Sequence, residues 1–354
     1  MKRRFFSSCN LLAAAIAVMM WLPPAPVAGQ APAAAARTTT PAKKWTPPKT
    51  AWGDPDLHGI WNNATSTPLQ RPGQVDGKPV LTTDDDVAEF ATGLAYDLTR
   101  DRRDGGAQID VNRAYNEHWM DPKRLQITAD KRTSLIINPP DGRIPPLVPL
   151  PPAREQRRIA REAAVRRFND GLPASYRDGG LPFRCFIRTD RPPYLPIIYN
   201  NTFQIFQSPG YVVISVEMIH SARVIPVDGR PHIGKGLNQW LGDSRGRWEG
   251  NTLVVETTNF RPDDGVLFGD ADPETFRIVE RFTRVNANTI DYTFTVEDPR
   301  TWTKPWTAMI PWNKTEDQLY EYACHEDNYD MVHMLSGARS REKEAAEAAR
   351  KEPK

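Results

Sequence analysis

From Tyr199 to Val296 short apolar runs alternate with turn residues. Asn201–Phe206 is followed by Ser208-Pro209-Gly210, and Tyr211–Ile219 comes next. Proline presets φ and glycine accepts positive φ, so Pro-Gly between two β-rich runs predicts a turn. Ala222–Val227 closes on Asp228-Gly229, and Gly246–Glu249 meets Thr252–Thr258 across Gly250-Asn251. Phe276–Val285 meets Thr289–Glu297 across Asn286-Ala287-Asn288. Consecutive hairpins predict an antiparallel meander, because parallel pairing needs long crossovers.

The pattern also assigns faces. Ile290, Tyr292, Phe294 and Val296 alternate with Asp291, Thr293, Thr295 and Glu297, a period of two that predicts apolar inside and polar outside. Tyr211–Ile219 carries apolar residues on both faces, which predicts a central strand, with His220 continuing the face of Val212, Ile214, Val216 and Met218. Glu280 falls on the apolar face with Phe276, Ile278 and Phe282. A carboxylate there needs a partner, and Arg281 or Arg284 is expected to pair with it at the strand edge.

Helices are expected at the margins. Thr83 with Asp84-Asp85-Asp86 offers an N-cap and an acidic first turn for a helix to about Leu98. Arg154–Phe168 has a narrow apolar stripe among arginines and predicts an exposed helix on the barrel. A charged, Ala-rich helix is expected over 338–352. Short strands are expected at Ser134–Asn138 and Leu319–Ala323.

The N-terminus bears on compartment. Lys2-Arg3-Arg4 precedes the apolar run Leu11–Leu22, of signal-peptide length, with cleavage expected at Val27-Ala28-Gly29 or the adjacent Gln30-Ala31. The expected organisation is a signal peptide (1–29), an Ala/Pro/Thr-rich tether (30–50), one β-rich domain (51–337) and a charged C-terminal helix or tail (338–354). A periplasmic or secreted location follows, with no transmembrane segment in the mature chain. Cys9 leaves with the peptide, and Cys185 and Cys324 are expected to form a disulfide in an oxidising compartment. The net charge of +2 provides no field for nucleic acid, and no basic stripe with interleaved aromatics supports such a partner.

Candidate chemistry is densest between Glu217 and Glu249. His220 is a candidate general base, with Glu217 or Asp228 orienting it and Arg223 holding a substrate carbonyl or anion. His232, Trp240, Asp243, Trp248 and Glu280 are candidate ligand contacts, expected to meet His220 and Asp228 at one barrel mouth. His220, His232 and a carboxylate match no compact metal motif, so neither metal nor cofactor is expected. The same polar residues can equally satisfy loop backbone and one another. Ser215 and Ser244 lack a Gly-x-Ser-x-Gly elbow.

Gly59-Ile60-Trp61 resembles the Gly-x-Trp of the first lipocalin strand, where tryptophan plugs one barrel end. The fold expected is therefore mainly β, a lipocalin-like antiparallel barrel with a few peripheral helices. Beyond the tether the chain also resembles a widespread family of uncharacterised secreted bacterial proteins. The resemblance rests on Gly53-Asp54-Pro55-Asp56-Leu57, Glu217-Met218-Ile219-His220, Asp228-Gly229-Arg230-Pro231-His232, Trp248-Glu249-Gly250 and Glu280-Arg281-Phe282. It implies secretion and carries no activity. Three functions stay open: binding of a small, partly apolar molecule in the barrel; a cofactor-independent lyase, hydratase or isomerase using His220; and a structural envelope protein with a filled core.

Overall fold

The computed structural model describes residues 45–99, 121, 126–261 and 271–351. The expected signal peptide and most of the tether lie outside the described residues. The last tether residues do not: Lys49 forms a β-bridge with Pro55.

Among the described residues ten strands are formed: β1 (Gly59–Asn62), β2 (Ile136–Asn138), β3 (Thr202–Ser208), β4 (Tyr211–Val216), β5 (Ala222–Pro226), β6 (Asp243–Glu249), β7 (Thr252–Thr258), β8 (Arg277–Asn286), β9 (Thr289–Glu297) and β10 (Trp306–Lys314). Nine run in the order β5-β4-β3-β1-β10-β9-β8-β7-β6, and β2 pairs separately with β10. The result is a nearly closed, barrel-shaped antiparallel sheet. Two meanders, β3–β5 and β6–β10, are joined by β1, which lies between β3 and β10.

Every one of the eight pairings along this path is antiparallel. An even number of reversals leaves the end strands β5 and β6 running the same way. They face each other as a parallel seam, and among the described residues no backbone hydrogen bond crosses it. Side chains close it instead. Gly246 allows the approach: a Cβ there would lie 2.7 Å from Val227 Cγ1 and 3.0 Å from Ile225 Cγ2.

The period of two holds in β9, where Ile290, Tyr292, Phe294 and Val296 are buried. Inside the barrel an aromatic cluster is built on Phe203, Phe282, Tyr292 and Trp312, with Tyr194 reaching in from the segment before β3. Trp61 is also fully buried, and its Nε1 donates to Leu57 O at 3.0 Å.

Among the described residues three helices lie at the periphery: α1 (Asp84–Thr99), α2 (Pro152–Asn169) and α3 (Asp330–Lys351). Thr83 Oγ1 accepts the Asp86 N–H at 3.1 Å and caps α1. Helix α2 starts on a proline, carries Arg166 and Arg167 in its last turn, and buries no residue. Helix α3 starts well ahead of the expected 338. Leu319–Ala323 is not a strand: it pairs with no strand among the described residues and has no regular secondary structure. Among the described residues no helix is long and apolar enough to cross a membrane.

Tyr211–Ile219 is also corrected. The strand stops at Val216, and Glu217–His220 form a tight connection to β5, closed by Val216 N–H donating to Ser221 O at 2.9 Å. Ile219 and His220 hold positive φ, 62° and 46°. The turn therefore lacks the Gly, Asn or Pro that would announce it, and His220 does not continue the buried face.

Glu280 does lie on the buried face, but its partner is Arg223 across the barrel, not Arg281 or Arg284. Arg281 pairs with Glu249, and Arg284 donates to Asp56 O. Because breaking a buried pair strands a charge, Glu280→Gln is expected to lower unfolding free energy by about 3–5 kcal/mol in urea titrations. The double variant Arg223→Met/Glu280→Leu is expected to lose less; a midpoint unchanged in Glu280→Gln would refute this account. Gly246→Ala is expected to cost about 1–3 kcal/mol through overpacking of the seam, read in the same titration.

Candidate functional site

The residues singled out in the sequence separate into four places. Arg223, on β5, is inside the barrel. Arginine has five N–H donors, and this one makes five bonds: Nε to Ser244 Oγ (2.8 Å), Nη1 to Glu280 Oε1 (3.0 Å) and Tyr194 OH (3.4 Å), Nη2 to Thr257 Oγ1 (2.7 Å) and Glu280 Oε2 (2.5 Å). Tyr292 OH completes the network by donating to Glu280 Oε1 at 2.8 Å. The side chains of Arg223 and Glu280 are 3% and 0% exposed. Burial opposes charge on Arg223, yet the facing Glu280 carboxylate outweighs it and holds the guanidinium above its usual range. Burial pushes the Tyr194 phenol up to about 12, with Glu280 adding to the rise and Arg223 opposing it. A guanidinium with every donor used has none left for a substrate. Arg223 and Glu280 are structural groups, and Ser244 lies beneath them.

Asp228 stands at the far end of β5 from His220. Its carboxylate is held below the usual range by hydrogen bonds from the Arg230 side chain, and Arg230 also donates to Tyr211 OH at 2.7 Å. Seven residues separate Asp228 from His220, and five of them form β5, a strand of roughly 17 Å that holds the two at its opposite ends. The two do not converge, and Asp228 cannot orient the histidine.

His232 belongs to a third place. Its loop crosses back from the end of β5 to the start of β6. Asp243 Oδ2 lies 2.6 Å from His232 Nδ1 and accepts the Ile233 N–H at 3.1 Å, while Arg245 Nη1 lies 2.6 Å from Asp243 Oδ1. Asp243 thus pins the crossover loop to the outer face of the sheet. Glu256, at 3.6 Å from His232 Nε2, also pairs with Arg277. Trp240, on the same loop, meets Phe186 edge-on at 4.8 Å and carries Arg261 over its ring. Trp248 packs against the core, with Nε1 buried and unpartnered among the described residues.

The fourth place holds His220 and Glu217. The His220 ring is exposed, and Nδ1 lies 2.9 Å from Tyr322 O. A carbonyl only accepts, so Nδ1 carries the proton. In the neutral ring Nε2 then presents a lone pair outward. Glu217 is buried, and its Oε1 accepts the Tyr320 N–H at 3.4 Å. Both anchors come from the segment Tyr320–Tyr322, held down by the Cys185–Cys324 disulfide. A β-branched residue at positive φ is a backbone outlier, and such strain gathers at functional sites.

Sequence reasoning missed the neighbouring segment Asp190–Tyr194. All five residues are buried outside regular secondary structure. Asp190 Oδ1 accepts the Arg188 N–H at 2.8 Å, and burial raises its carboxyl above the ordinary 3.8. Burial pulls the Arg191 guanidinium down to about 10, with Asp190 opposing, so it stays charged at neutral pH. Asp-Arg-Pro-Pro reads as loop, and nothing local marks it for burial. Among the described residues no cluster of three or more His, Cys, Asp or Glu is arranged to hold a metal.

The disulfide carries a testable consequence for His220. Reduction is expected to free Tyr322 and expose the His220 Nδ1 proton to solvent exchange, seen as loss of its ring N–H resonance in the reduced protein. A resonance that survives reduction would show that Tyr322 is held by other contacts. The same reduction is expected to lower stability by at most roughly 5 kcal/mol on the chain-entropy model.

Compared with protein-family models, curated proteins and solved structures, the chain matches none of them.

Proposed function

We propose that this is an exported binding protein whose barrel is a filled, rigid scaffold and whose ligand, a small partly apolar molecule, is held at one rim by the Glu217–Ser221 connection. The observation that carries the reading is the strained turn: Ile219 and His220 at positive φ, with His220 Nδ1 tied to Tyr322 O. Holding that turn costs backbone energy, of order 1–3 kcal/mol per residue. The result is one imidazole fixed in tautomer and orientation, with its acceptor nitrogen outward. Export is supported by the disulfide and by the basic and apolar N-terminal pattern. A ligand deep in the barrel is disfavoured by the saturated Arg223 and by the ring cluster around Trp312.

A second reading, a cofactor-independent lyase, hydratase or isomerase with His220 as acid/base, is favoured by the same outward lone pair. The purely structural reading rests on the filled interior alone and leaves the strained turn unexplained.

Native mass spectrometry of protein purified from its own envelope tests the proposal. The expected result is a retained small molecule in the wild type and its loss in His220→Ala of unchanged circular dichroism. No retained mass in either, or equal retention in both, would return the molecule to the structural reading.

A further inference from the structure

One short segment, Tyr320–Asn328, is tied at both ends to unusual backbone. At its start, the Tyr320 N–H donates to Glu217 Oε1 at 3.4 Å, and Tyr322 O lies 2.9 Å from His220 Nδ1. Further on, Cys324 is bonded to Cys185, and Asn328 Nδ2 donates to Cys185 Sγ at 2.9 Å. Among the described residues seven that are not glycine hold positive φ. Three of them, Asn200, Asn259 and Asp327, carry side chains that tolerate this region. Of the other four, Lys131 stands apart, and the rest are tied to this one segment: Cys185 (54°) through the disulfide, and Ile219 (62°) and His220 (46°) through Tyr322. Such conformations persist only where the surroundings over-determine them.

The two sulfurs are not equivalent. Cys185 is 4% exposed, whereas Cys324 is half-buried and followed by the exposed His325. Cys185 Sγ already receives the Asn328 amide. A hydrogen bond of that kind favours the charged form of a thiol, and the sulfur that leaves more readily as thiolate is the better leaving group in exchange. Attack from solvent on Cys324 therefore expels Cys185.

We propose that Cys185–Cys324 is a thiol-exchange latch on the His220 turn, opened by an external dithiol. One thiolate of the dithiol attacks Cys324 Sγ. The S–S bond breaks, and its electron pair leaves on Cys185 as a thiolate held by Asn328. The second thiolate of the dithiol then displaces Cys324, so the dithiol is oxidised and both cysteines are reduced. The segment loses its covalent anchor, Tyr320–Tyr322 withdraws from Glu217 and His220, and Ile219 and His220 relax to negative φ. The molecule held at the rim is released. The inference rests on the rim reading above and names its regulation.

Brief exposure of the folded wild-type protein to glutathione, quenched with acid and mapped by mass spectrometry, is expected to place the mixed disulfide on Cys324. Asn328→Ala is expected to slow reduction by dithiothreitol about tenfold, the loss of one hydrogen bond to a charged leaving group. In the reduced wild type, the Ile219 Cα and Cβ chemical shifts, which follow backbone conformation, are expected to move while far-UV circular dichroism stays unchanged. The retained molecule is expected to disappear from the native mass spectrum at the same time. An adduct on Cys185, or one that forms only in urea, overturns the proposal. So does a reduced protein that unfolds as a whole, which would make the bond a staple, or an Ile219 that does not respond. If Ile219 is unmoved while His220→Ala loses its molecule, the rim reading survives and the latch falls. If Ile219 moves while the oxidised His220→Ala variant keeps its molecule, the latch stands and the rim reading falls.

Discussion

The architecture depends on one buried ion pair. Arg223 leaves β5 and reaches Ser244 on β6, Thr257 on β7 and Glu280 on β8, and Glu280 in turn receives Tyr292 from β9. These strands lie on both sides of the seam. A sheet of nine strands with alternating directions cannot close with an antiparallel ladder, so side chains must do what main chain does elsewhere. Desolvating both charges is costly, and replacement of such pairs by apolar residues is often neutral or better. The pair's contribution is therefore specificity: only the register that sets Arg223 against Glu280 satisfies every donor. A slip of one residue would turn the charge outward and leave its partner alone in the core.

Much of the barrel was legible in the chain. The β8–β9 hairpin and the inward face of β9 follow from strict alternation. So does the buried position of Glu280, because its face is set by its neighbours two residues away. Its partner was not legible, because Arg223 lies 57 residues earlier and the two meet only when the sheet rolls up. Arg281 and Arg284 are nearer in sequence but point elsewhere, one outward to Glu249 and one to the backbone of Asp56.

The candidate site was legible as a residue and misread as a place. Glu217-Met218-Ile219-His220 looks like strand because Met218 and His220 continue the alternation of Val212, Ile214 and Val216. The chain turns there anyway, against local preference, and positive φ on an isoleucine records the conflict. Local propensity and global fold disagree at few positions in a protein that folds well, and those positions are the ones to suspect. Asp190 and Arg191 were invisible for the opposite reason. A charged pair before two prolines reads as surface, and only the tertiary fold places it inside.

The seam has a mechanical meaning. Along every other strand boundary, parting the sheet means breaking a row of amide–carbonyl bonds. Between β5 and β6 it means only withdrawing one arginine and a few methyl groups. The outward-facing amides of these two strands should be the first to exchange deuterium, and the cylinder, when it gives way, should unroll from this line rather than melt uniformly.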